Sequence, residues 1–134
     1  MKLEQHEQAF AEHIRNIERA IDESIEDNQR NLGFNISQGS VELFSIFLHK
    51  LHLIEGSGDQ LDHRIFKNKN LIEKKLPVTF PLKKKMLSIM EKIELERIAL
   101  CYGSRKPKFR VEKVLNNFQE LRKLINLELK NGKK

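Results

Sequence analysis

The spacing of the apolar residues limits this chain's fold more than any other feature. Phe10, Ile14, Ile17, Ile21 and Ile25 recur at intervals of four, three, four and four, the stripe of a helix that buries one face. Val111, Val114, Leu115, Phe118, Leu121, Ile125 and Leu129 repeat that pattern near the C-terminus. The run Val41 to Ile54 is apolar nearly all round; it is long for a strand, and no other segment carries a partner strand's alternation, so it reads as a central helix. Leu82 to Tyr102 supplies a third long helix in chain order. The expected fold is therefore all-α, an antiparallel up-down bundle of four main helices.

Punctuation residues set the expected boundaries. The first helix should run from about Glu4 to Asn31, with Gly33 as its C-terminal cap, and the second should start at an N-cap on Ser37 or Ser40. Glu55 to Asp59, with two glycines, reads as a flexible turn. Gln60 to Pro81 allows only short helical turns before Pro77 and Pro81, so it reads as an irregular basic connection that can hold a short helix. Pro81 suits the first position of the third helix, Gly103 its end, and Ser104 to Phe109 a basic link. Residues 130–134 read as a disordered basic tail. A length of 134 residues fits one domain, 1–134, with one core.

Composition narrows the setting. Hydrophobic residues at 39% and charged residues at 33% fit a compact globular chain and not a disordered one. No stretch approaches the roughly 18 apolar residues of a spanning helix, and Met1 to Glu7 lacks the apolar segment of a signal peptide. A cytoplasmic protein with no membrane partner is expected. The single cysteine, Cys101, cannot close an internal disulfide. His49 and His52, three apart on an apolar helix, read as structural, while His6 and His13 are too isolated to assign. Neither a metal nor a cofactor is expected.

Charge is segregated along the chain. Residues 1–62 hold five Lys/Arg against twelve Asp/Glu, and residues 63–85 hold eight against one. Arg64, Lys67, Lys83, Lys84 and Lys85, with Arg105 and Lys106 in the later link, are the candidate nucleic-acid contacts, suited to phosphate but blind to base sequence. Around His63, the run Asp62 to Lys67 places imidazole, guanidinium, aromatic ring and ammonium together. That run serves either as a contact patch or as a core anchor through Ile65 and Phe66 with its charges solvated.

Arg97 stands apart. At about 100° per residue it falls among Met86, Ile89, Met90, Ile93 and Leu100, with Leu82 on the same face, whereas Leu87, Leu95 and Ile98 gather on the other side. A helix apolar on two faces sits at a bundle centre or gives one face to another subunit. The guanidinium needs a partner. Either Glu94, three residues back, orients it at the core edge, or it points into a cleft where it can hold a phosphate.

Four helices with Glu94-x-x-Arg97 near the end of the third, followed by Tyr102-Gly103, resemble the HEPN superfamily of small α-helical domains over nearly the whole chain. The resemblance implies a homodimer and, in active members, a metal-independent ribonuclease that pairs such an arginine with a histidine a few residues on. Here Ile98 follows the arginine, and Cys101, Tyr102 or Gly103 fills the histidine's place. The reading that follows is a non-catalytic HEPN-like homodimeric module that binds RNA or another polyanion, or a nucleotide-handling partner such as a nucleotidyltransferase, through its basic surface. The alternative is a toxin-like endoribonuclease in which Arg97 works with His63 or Tyr102 as the proton-transfer residue.

Overall fold

The structure, a computed structural model, describes residues 2–54 and 61–131, and the described residues are helical with no strand. Its helices are α1 (Leu3–Glu23), α2 (Gln29–Lys50), α3 (Lys69–Lys75), α4 (Lys83–Cys101) and α5 (Lys108–Asn131), with a 3-10 turn at His63–Lys67 before α3. Helix α2 packs against α1, α4, α5 and the 3-10 turn, and α4 against α5 and that turn. Buried apolar side chains from all these elements form one cluster, with Phe44, Phe47 and Phe118 among its fully enclosed members. No described helix is long and apolar enough to cross a membrane.

One glycine and two serines do other work than the sequence suggested. Helix α1 stops at Glu23, not near Asn31, because Ser24 turns the chain: its hydroxyl accepts from the Asp27 N–H at 3.2 Å and its carbonyl from the Asn28 side chain at 2.8 Å. Helix α2 therefore starts at Gln29 and runs straight through Gly33. There a Cβ would lie 3.0 Å from the Cβ of Leu100 and 3.2 Å from Sγ of Cys101, so the glycine serves the close approach of α2 and α4 and is no cap. Ser37 and Ser40 are buried inside α2 instead of capping it; Ser40 Oγ donates back to the Ile36 carbonyl at 2.7 Å.

The later boundaries hold more closely. Pro81 sits two residues before α4, whose N-cap, Leu82, takes a left-handed conformation (φ 63°) and is exposed, not on the core face. Gly103 follows α4 with φ 82°, the conformation that favours glycine at a helix end. Helix α5 takes Lys108 and Phe109 from the expected basic link and extends through Lys130 and Asn131. Both the Glu55–Asp59 turn and the end of the tail lie outside the described residues. Gln29 pins what remains of the link, donating to the Lys106 carbonyl at 2.6 Å and accepting its N–H at 2.9 Å.

Candidate functional site

Arg97 is half-buried, and Glu94 is not its partner. The carboxylate of Glu94, buried on α4, accepts from His63 Nδ1 at 2.8 Å through Oε1 and from Ser37 Oγ at 3.2 Å through Oε2. Arg97 Nη1 donates to the same Ser37 hydroxyl at 3.3 Å, and its guanidinium lies over the Phe34 ring, 5.2 Å from the centroid. The direct ion pair expected from their spacing is thus replaced by a relay: His63, Glu94, Ser37, Arg97. Three elements supply it. The 3-10 turn brings the imidazole, α4 the carboxylate and the guanidinium, and the glycine-tightened α2 crossing the hydroxyl.

This arrangement orients the His63 ring. An ionised carboxylate only accepts, so the ring donates to it from Nδ1 and Nε2 is the nitrogen left for another partner. The side chain remains 22% exposed while that of Glu94 is 5% exposed, so the imidazole is the outward member. His63 lines an open cleft of about 390 Å³ with Gln38, Val41, Glu42, Leu61 and Asp62. Asp62 also caps the turn beneath: its carboxylate accepts from the backbone and side chain of Arg64, bonds that hold it well below the usual carboxylate range.

A second imidazole–carboxylate pair borders the same cleft in the opposite sense. His6 Nδ1 donates to Glu42 Oε2 at 2.5 Å; here the imidazole is 3% exposed and the carboxylate 18%. The Nε2 atoms of His6 and His49 are both buried without a hydrogen-bond partner among the described residues, and their rings lie 5.2 Å apart. His52 falls beyond the end of α2 and is exposed, so it shares no helix face with His49. The described residues contain no group of three or more His, Cys, Asp or Glu able to hold a metal ion.

The other sequence candidates fall elsewhere. Tyr102 is 68% exposed at the end of α4, about 12 Å along the helix from Glu94, and takes no part in the relay. Much of the basic set is engaged: Arg64 on Asp62, Arg105 on Asp27, Lys85 facing Glu120 at 4.0 Å. Lys83 donates to the carbonyls of Leu76 and Val78, and Lys106 to that of Ser104. Lys67 and Lys84 are exposed, with no partner among the described residues. On α4, Leu95, Ile98 and Tyr102 form an exposed stripe, while Leu87 packs on the core instead of sharing that face. Cys101 is half-buried, and that burial pushes its thiol up from the ordinary value.

Sequence reasoning missed Ser37, Phe34, His6 and Glu42 as members of a polar site. Phe34, Ser37 and Glu42 lie on α2 and His6 on α1, and only the packing of α2 against α1 and α4 brings them to their partners. The chain matches no family model, no curated protein and no solved structure.

Proposed function

We propose that the chain is a HEPN-like helical domain that cleaves RNA without a metal, with His63 as the proton-transfer residue, Glu94 as its positioning residue and Arg97 as the phosphate contact. The observation that carries this reading is the hydrogen-bonded relay joining His63 to Arg97 through Glu94 and Ser37. It offers a base in place of the histidine that the arginine lacks along its own helix. His63 Nε2 takes the proton of a ribose 2′-hydroxyl, and the freed oxygen attacks the adjacent phosphorus. The bond to the 5′-oxygen breaks, and the imidazolium returns the proton to that leaving oxygen, which yields a 2′,3′-cyclic phosphate and a 5′-hydroxyl. Arg97, with guanidinium N–H groups beyond the one on Ser37, balances charge on the phosphate.

The exposed stripe Leu95, Ile98 and Tyr102 supports a homodimer within an antiparallel four-helix arrangement. One observation favours a second reading, a non-catalytic module that holds RNA or a nucleotide-handling partner: the carboxylates of Glu42 and Asp62 line the cleft at His63 and repel phosphate. Labelled RNA incubated with chelator separates the two. Cleavage that vanishes in Arg97→Ala supports the ribonuclease. RNA that is bound but left whole, with binding weakened in Lys67→Glu and Lys84→Glu, supports the module. Sedimentation of the wild type as a monomer would remove the dimer from both.

A further inference from the structure

The cleft at His63 carries more information than a base alone requires. Beside the imidazole, Gln38 and Glu42 stand four residues apart on α2 and so present a carboxamide and a carboxylate side by side on one face. His6, almost wholly enclosed, holds Glu42 from behind through Oε2. The carboxylate is therefore fixed, with acceptor capacity left for a ligand. Val41 and Leu61 add apolar wall, and about 390 Å³ accommodates one nucleobase. Asp62 does not compete, because Arg64 occupies both of its oxygens.

We infer that this cleft is a base pocket that reads guanine, with Glu42 accepting the N1–H and 2-amino hydrogens and Gln38 donating to O6. Among the four RNA bases only guanine presents acceptor, donor, donor along its Watson–Crick edge. Adenine offers one donor beside an acceptor, cytosine one donor beside two acceptors, and uracil one donor between two acceptors. Proteins that read single-stranded RNA hydrogen-bond such edges of splayed bases. The carboxylate that opposes phosphate in this cleft suits a base edge, and His63 on the same wall meets the sugar of the held nucleotide. This inference rests on the ribonuclease reading for its purpose, but the pocket itself is testable without cleavage.

The test is equilibrium binding of guanosine, inosine, adenosine, cytidine and uridine 5′-monophosphates to the full chain, in which the common phosphate cancels. The guanine nucleotide binds at least about tenfold tighter than the adenine, cytosine and uracil nucleotides, as a bidentate base contact provides. Inosine, which keeps N1–H and lacks the 2-amino group, falls between. Glu42→Gln, which still accepts from His6, abolishes the preference. Should that variant fail to fold, the guanosine-to-inosine difference in the wild type decides. Equal binding of all five, or no binding of the guanine nucleotide, overturns the pocket. Guanine-selective binding with RNA left uncut supports the pocket and overturns the ribonuclease. Cleavage indifferent to guanine supports the ribonuclease and overturns the pocket.

Discussion

Among the described residues, two imidazole–carboxylate pairs meet at one cleft, and they are built in opposite order. In His6–Glu42 the imidazole is enclosed and the carboxylate faces out; in His63–Glu94 the carboxylate is enclosed and the imidazole faces out. Pairs of like chemistry thus present different groups to solvent. The inner member of each is a positioning group that holds its partner in place, and the outer member is available to a ligand. Which group faces out follows from the elements: α1 buries His6 against α2, whereas the 3-10 turn lays His63 over the edge of α4.

That inversion is open to breakage. Removing an inner member, His6→Ala or Glu94→Ala, lowers unfolding stability by about 2–4 kcal/mol, the sum of a cavity and a lost hydrogen bond. Replacing an outer member by its hydrogen-bonding analogue, His63→Gln or Glu42→Gln, costs less than about 1 kcal/mol. Urea denaturation of the four variants checks this, and equal losses across both pairs would erase the distinction. Next in size is Gly33→Ala, which forces α2 away from Leu100 and Cys101 and costs about 1–3 kcal/mol; a neutral result would show that the crossing has slack.

Ser37→Ala removes the hydroxyl shared by Glu94 and Arg97, for about 1 kcal/mol by denaturation. It leaves the His63–Glu94 bond in place and so separates the relay from the pair. The smallest effect belongs to Asp62. Because Arg64 holds its carboxyl below the ordinary value, the ionised form stabilises the turn above about pH 4, the ordinary carboxylate value, and that contribution fades as pH falls below it. Its partial exposure limits the effect to about 0.5 kcal/mol. Urea midpoints followed down in pH should fall less steeply in Asp62→Asn than in the wild type.

Much of the fold was legible because apolar periodicity is a local property: α4 and α5 lie where their stripes placed them, and Gly103 follows α4. Glycine misled. At 103 it fills a left-handed turn, whereas at 33 it permits a helix crossing, and only a partner helix tells these apart. The serines at 37 and 40 misled as well, since a hydroxyl that caps one helix can equally bond across the core, as Ser37 does, or back onto its own helix, as Ser40 does. Within the site, Arg97 announced itself as a charge among apolar neighbours. Its connection to His63 did not, because it runs through Ser37, 60 residues away on another helix, and through a carboxylate that local spacing had assigned to Arg97 itself. His6 lacked any local signal, and its partner is 36 residues distant.

Cleavage of labelled RNA in chelator by wild type and His63→Gln, at matched folded concentration, tests the assignment of His63 most directly. The wild type should cut the RNA, and the variant should retain its fold while losing at least about 100-fold in rate, as removal of a general base does. RNA left intact by the wild type, or cut equally fast by the variant, would contradict it.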